Sequence, residues 1–287
     1  PITYGAWIKH LVRRGHIVIF PVFQDGLDTP VAEMTPNARR ALSDAWEWLS
    51  RDAPVRPRSN GPAFVGHSIG GFIAANLAAS ATRDGLPPPA ALMLVQPSNG
   101  APHIRDERRL LQLEHLDAVP ARTLAMAVVG DADRLASEVG ARLILDALTG
   151  VPKHRKTLII VQSDNRTDPP LEAHHASPTG FDASIVPQEQ SAAPTPDDPP
   201  RGGGGFRDRI RQRVRDRIAE RVERPTERSR VDALDYYGYW RLFDILLATA
   251  DRPAGSPAKL AKIPDLCFMG RLPDGAPVRP LRIEALP

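Results

Sequence analysis

The chain has 287 residues, 42% hydrophobic and 25% charged with a net charge of +3, an ordinary globular composition long enough for one large domain or two small ones. Its single cysteine, Cys267, excludes an intrachain disulfide, and no run approaches the 18 apolar residues a membrane-spanning helix needs. In chain order, residues 4–14 space Trp7, Ile8, Leu11 and Val12 three and four apart, which predicts an amphipathic helix stopped at Gly15. The unbroken β-branched run of residues 16–20 predicts a parallel strand buried on both faces. Thr35 then reads as an N-cap with Pro36 at the first helical position, ahead of an apolar stripe through Ala38, Leu42 and Leu49. Trp7, Trp46 and Trp48 read as core or helix-packing residues.

The stretch Phe64-Val65-Gly66-His67-Ser68-Ile69-Gly70-Gly71 follows, between an apolar strand and an Ala-rich helix through Phe72, Ile73 and Leu77. A G-x-S-x-G string arises by chance in roughly one chain of this length in ten, so its context decides its meaning. Here a strand precedes it and a helix follows, the setting in which such a serine sits on a sharp, strained turn. The small side chains of Gly66 and Gly70 are expected to let strand and helix close around Ser68. His67 is expected to pack beside that turn rather than take part in chemistry.

Residues 90–95, 123–129 and 157–161 are three further short apolar runs, and the clearest of the helical segments between them is 135–148, with Gly150 as its stop. Strands alternating with helices predict an α/β fold, a mostly parallel sheet with helices on both faces, in which active residues lie beyond the carboxyl ends of the strands. Beyond one such end come Gly130-Asp131-Ala132-Asp133. Beyond the next comes a polar loop, with Asp164, Arg166 and Asp168 expected to face solvent, that reaches His174-His175-Ala176-Ser177-Pro178. A serine hydroxyl needs an imidazole to take its proton and a carboxylate to orient that imidazole. Chain order Ser, Asp, His satisfies this, with Asp131 or Asp133 as the acid and His174 or His175 as the base.

With G-H-S-I-G-G at the turn, G-x-x-D at 130–133 and H-x-x-P at 175–178, the chain resembles α/β-hydrolases of the cutinase, polyester hydrolase and dienelactone hydrolase neighbourhood. The resemblance covers residues 1–178 and, less specifically, 231–250. It implies Ser68 as nucleophile, Asp133 rather than Asp131 as the triad acid, and His175 rather than His174 as the base. The N–H of Ile69 would then form half of the oxyanion hole. It further implies cleavage of a small-molecule or lipid-like carboxylic ester through an acyl-enzyme, with no metal or organic cofactor. The same triad serves acyl transfer and thioester cleavage, and a non-catalytic module of this fold is the reading from another class. In these families a loop ahead of the first major helix supplies a second oxyanion donor. Here that helix starts almost at Pro1, so the fold is expected to be N-terminally incomplete.

The expected organisation is a hydrolase core over 1–178, an insertion over 179–230, and a C-terminal part over 231–287 whose helix completes the core. Residues 179–205 are rich in Pro, Gly, Ser and acid and read as a flexible linker. A charged helix is expected over 206–224. Residues 201–230 carry eleven arginines against five acids, a net of +6, which leaves the remainder near −3. Its apolar residues recur every fourth position and drift round the helix, which favours a solvated helix over one lying on a membrane surface or docked on a partner. With Phe206 as its single aromatic residue, the stretch has too little stacking surface for nucleic acid. From 231 onward, Leu234, Tyr237, Trp240, Phe243 and Leu246 predict a long packed helix, and Pro273-Asp274-Gly275 centres a hairpin confined to an edge by its prolines.

Overall fold

In the computed structural model, residues 1–24, 26, 29–57, 61–100, 106, 110–185, 231–252 and 260–286 are described. They gather into two compact units, one of Pro1–His16 with Thr179–Val231 and one of Ile17–Pro178 with Asp232–Pro287. The charged helix expected over 206–224 lies outside the described residues, as does all of 186–230.

In the smaller unit, helix α1 (Gly5–Arg13) buries Trp7 and Leu11, leaves Val12 exposed, and ends before Gly15, whose φ of +86° suits glycine. Residues 179–185, expected to begin the linker, pack against this segment. Ala6 N–H donates to the Gly180 carbonyl at 2.9 Å, Asp182 N–H to Ile2 at 3.1 Å, and the Lys9 ammonium lies 3.0 Å from the Asp182 carboxylate. The linker composition sets in only beyond this patch, where the proline and glycine density rises.

The larger unit is built on a five-stranded sheet in the order β1 (Ala63–His67), β2 (Ala91–Val95), β3 (Leu124–Gly130), β4 (Lys156–Val161) and β5 (Arg282–Glu284). The first four strands run parallel, and β5 closes the far edge antiparallel to β4, pairing Ile283 with Ile159. Leu92, Ala125 and Leu94, Ala127, Leu158 are register partners, so one face of the sheet forms a continuous apolar row. On it pack Phe72 and Leu77 of α3 (Ile69–Ser80), Ala38 and Leu42 of α2 (Val31–Arg51), and Ile144 and Leu145 of α4 (Glu138–Ala147). Each of the larger of these side chains, fully buried, contributes about 1.5–3 kcal/mol. Ser137 caps α4 by accepting from Val139 N–H at 3.2 Å.

A π-helical segment (Leu234–Trp240), running directly into α5 (Arg241–Ala250), contacts the sheet elsewhere, with Gly238 close against Val161. Its i→i+5 turns stack Leu234 over Tyr239 and Asp235 over Trp240, and all four are buried. The expected α spacing instead placed Tyr237 inward, and that ring is only half-buried. The tail forms a small bridge between Arg271 and Pro277 around Gly275, at φ +85°, before joining the sheet edge as β5.

Four local expectations are corrected. Residues 16–20 form no strand: no described strand pairs with them, and Ile17 and Phe20 are exposed. An apolar run becomes a strand only where a neighbouring backbone completes its ladder. Helix α2 begins at Val31, so Pro36 lies inside it and Thr35, far from capping anything, is buried beside Asn76. Packing of Val31 and Met34 on the core outweighs the hydrogen bond the proline forfeits. Trp48 is exposed, because the buried stripe of α2 runs through Thr35, Ala38, Leu42 and Leu49. Asp164 is buried, not solvent-facing: Arg166 holds it at 2.8 Å and 2.5 Å and Arg279 N–H reaches it at 3.0 Å. That arginine pairing holds its carboxyl far below the usual carboxylate range.

Two predictions follow from this packing. A Cβ on Gly66 would fall 1.9 Å from the Gly70 carbonyl oxygen, whereas one on Gly70 meets nothing within 4 Å. Gly66→Ala should therefore destabilise the protein by about 1–3 kcal/mol or more, while Gly70→Ala should stabilise it by up to about 1 kcal/mol; thermal melts of the two variants side by side decide this. Asp235 provides the second. Burial raises its pKa to about 8, more than the N–H of Asp232, bound at 2.8 Å, lowers it. The folded form thus keeps a proton that the unfolded chain releases from about pH 4 upward, so stability declines as pH rises towards 8. Asp235→Asn, which has no proton to lose, should melt progressively higher than the parent between pH 5 and 8.

Candidate active site

The site begins with a backbone conformation. Ser68 sits between β1 and α3 at φ +56° and ψ −127°, a region costly for a side chain, on the order of 1–3 kcal/mol. Its surroundings impose this. Ser68 N–H donates to the Val95 carbonyl at 3.0 Å, and its own carbonyl accepts from Gly71 at 2.9 Å and from Ser98 at 3.1 Å. The close approaches that require glycine are at Gly66 and at Gly71, where a Cβ would lie 2.8 Å from that of Pro97. Gly70, expected to matter for closure, is sterically open.

From this turn the Ser68 hydroxyl lies 2.9 Å from Nε2 of His175, and Nδ1 of the same ring lies 2.8 Å from Oδ2 of Asp133. Three strand ends supply these groups: β1 the serine, β3 the aspartate through Gly130, and β4 the histidine through the loop that follows it. The Asp133 side chain is fully buried. Burial is the strongest single influence on it and opposes ionisation. The hydrogen bond from His175 and the N–H groups of Ala136 at 2.9 Å and Leu135 at 2.8 Å together outweigh burial and hold its carboxyl below the ordinary range.

The alternates are placed elsewhere. The Asp131 carboxylate accepts from Ser163 N–H at 3.0 Å and from its hydroxyl at 2.5 Å, and that hydroxyl in turn accepts from Ala173 N–H at 3.0 Å. Asp131 thereby braces the base of the histidine loop. The His174 ring turns back into its own loop, with Nδ1 accepting from Ala176 N–H at 3.1 Å. The loop's root is fastened by a two-way bridge between Asp164 and Leu171, at 2.8 Å and 2.9 Å.

His67 stacks on His175, with ring centroids 4.7 Å apart and planes tilted by 40°. Burial, and then the electrostatic influence of the neighbouring His175, lower its pKa to about 4, so it is neutral near pH 7. Two residues that sequence reasoning passed over also converge here, Gln96 immediately beyond β2 and Tyr239 from the π-helix. The position of Gln96 at a strand's carboxyl end was the available signal; Tyr239 had none, since its approach depends on the π turn.

Ile69 is the first residue of α3, where the helical ladder offers its N–H no acceptor. A hydroxyl facing an imidazole whose far nitrogen meets a buried carboxylate can pass its proton to that imidazole as it attacks. Among the described residues, no cluster of three or more His, Cys, Asp or Glu side chains is placed to hold a metal ion.

Comparison with known proteins gives three kinds of result. No curated protein matches the sequence significantly. Among solved structures, carboxyl esterase 2 from the mycorrhizal fungus Tuber melanosporum is similar at 18% identity and a TM-score of 0.41, covering 56% of this chain and 61% of its own. This chain thus spans about three fifths of that esterase. A monoacylglycerol lipase from Paleococcus ferrophilus is similar at 16% identity and a TM-score of 0.39, covering 60% of this chain and 80% of that one. Est1E from Butyrivibrio proteoclasticus follows at 13% identity and a TM-score of 0.35, covering 69% and 73%. A family model described as alpha/beta hydrolase fold matches residues 14–165, more than half of the sequence and a span that includes the Ser68 turn and Asp133. On that match, and with a parallel sheet carrying its serine between β1 and α3, the chain belongs to the alpha/beta hydrolase fold family.

Proposed function

We propose that this protein is a serine hydrolase that cleaves carboxylic esters through an acyl-enzyme. The observation that supports the reading most is the unbroken chain from the Ser68 hydroxyl to His175 at 2.9 Å and on to Asp133 at 2.8 Å. Ser68 Oγ attacks the ester carbonyl carbon while its proton passes to Nε2 of His175. Asp133 keeps the proton on Nδ1 and stabilises the imidazolium that forms. The tetrahedral oxyanion is met by the N–H of Ile69, aided by the positive end of α3. His175 then returns its proton to the departing alkoxide, which leaves as an alcohol, and water repeats the sequence on the acyl-serine to release the acid.

His67 fits this cycle as a neutral neighbour. An imidazolium stacked on His175 would oppose the charge that His175 acquires, and burial of His67 prevents that near pH 7. The substrate class is a small-molecule or lipid-like ester, and the chemistry described draws on no metal or organic cofactor.

Ser68→Ala should abolish both turnover of a p-nitrophenyl ester and labelling by a fluorophosphonate probe; labelling that persists removes Ser68 from the mechanism. Asp133→Asn should lower kcat by about 10⁴, because the amide favours the wrong imidazole tautomer. Asp131→Asn, which disturbs only the brace to Ser163, should stay within about tenfold of the parent. Equal losses in the two variants would contradict the choice of acid.

A further inference from the structure

We infer that Gln96 is a positioning residue for His175, its side-chain amide holding the carbonyl of the peptide bond that joins His174 to His175. The inference rests on the assignment of His175 as the base. Gln96 Nε2 donates to the His174 carbonyl oxygen at 3.1 Å and to the Tyr239 hydroxyl at 3.0 Å. Both N–H groups of one amide are thus committed, one to the backbone that delivers the imidazole and one to a phenol oxygen in the π-helix. Gln96 and Tyr239 are both fully buried. Gln96 Oε1 is buried with no hydrogen-bond partner among the described residues, so the amide is held by its two donors alone, and in a low-dielectric interior those two bonds fix its geometry.

The backbone of Gln96 shows what this placement costs. Its φ is +45°, a left-handed conformation that a non-glycine residue adopts reluctantly, and its N–H is clamped to the Val128 carbonyl of β3 at 2.7 Å. Strain held in a buried residue at a strand's carboxyl end suggests a task for the side chain that an unstrained residue would perform less well. The neighbouring glycine agrees. A Cβ on Gly130 would lie 2.0 Å from the Ala173 carbonyl oxygen and 2.9 Å from Gln96 Nε2, so only glycine lets the histidine loop settle onto the amide.

The amide also lies beside His67, the ring stacked on His175. Gln96 fixes the base through the preceding peptide plane. Asp133 orients the ring about its own axis. Gln96 determines where that ring is delivered, and a displacement of about 1 Å at such a point costs up to about 100-fold in rate.

Gln96→Met keeps the side-chain length and removes both donors. It should lower kcat about 10- to 100-fold with KM within about threefold, the pattern of a lost transition-state geometry. Without any substrate, proton NMR should show the downfield resonance of the His175 Nδ1 proton shared with Asp133 broadened or moved upfield. Tyr239→Phe should shift both readouts in the same direction by less, and the double variant should be no worse than Gln96→Met alone. Circular dichroism verifies folding, and if Gln96→Met does not fold, Tyr239→Phe decides by the same two readouts. An unchanged resonance together with an unchanged kcat overturns the inference, as does a loss of activity matched by the unfolded fraction with the resonance intact. Absent ester turnover in the parent would sink the ester reading instead, while the resonance would still test the role of Gln96.

Discussion

One serine in a left-handed backbone is the constraint around which the larger unit is arranged. Ser68 can hold φ +56° only because its N–H is bound to Val95 and its carbonyl is bound to Gly71 and Ser98. Those partners belong to the next strand, the following helix and the loop after β2. The turn is therefore a product of the sheet, and it exists only when β1 and β2 are in register and α3 lies across them. The cost of the conformation, on the order of 1–3 kcal/mol, is small beside the burial of α3 against β1 and β2. In return the serine side chain stands clear of both elements, with a helix amino terminus beneath it.

The remaining strands carry the other groups to the same rim. Parallel pairing aligns the ends of β2, β3 and β4, so loops far apart in sequence emerge side by side. Each loop is then braced where it leaves the sheet: Asp131 by Ser163, Asp164 by Arg166 and Leu171, and the His174 carbonyl by Gln96. The carboxylates around the site thereby divide their work. Asp131 and Asp164 hold loops in place, and Asp133 faces the imidazole. Asp235 is kept protonated at neutral pH by burial within the π-helix.

The parallel sheet was legible because 90–95, 123–129 and 157–161 are short apolar runs separated by helical periods, and each lies within a residue or two of an observed strand. The Ser68 turn was legible because its signal is local, six residues with an apolar strand before and an alanine-rich helix after. Other features were not. Residues 16–20 carry the composition of a strand but have no described partner in the sheet. Pro36 signalled a helix start, yet core packing of Val31 and Met34 carries α2 past it in the other direction. Of the glycines at the turn, spacing pointed to Gly66 and Gly70; Gly66 is tight, but Pro97, brought in from the loop after β2, makes Gly71 rather than Gly70 the second tight position.

By itself the sequence determined the order of elements, the strained serine between a strand and a helix, and a short set of candidate partners at 131, 133, 174 and 175. Periodicity and turn chemistry act over a few residues, so they can be read along the chain. Resemblance to a family pointed to Asp133 and His175, but residue chemistry left both pairs open, and only the tertiary structure shows which aspartate faces which histidine. Neighbouring loop residues differ only in which way their side chains turn, and that depends on Ser163, Ala173, Gln96 and Tyr239 arriving from distant parts of the chain. Register between strands and the depth of burial set those meetings, and both are properties of the packed sheet rather than of any local run of residues.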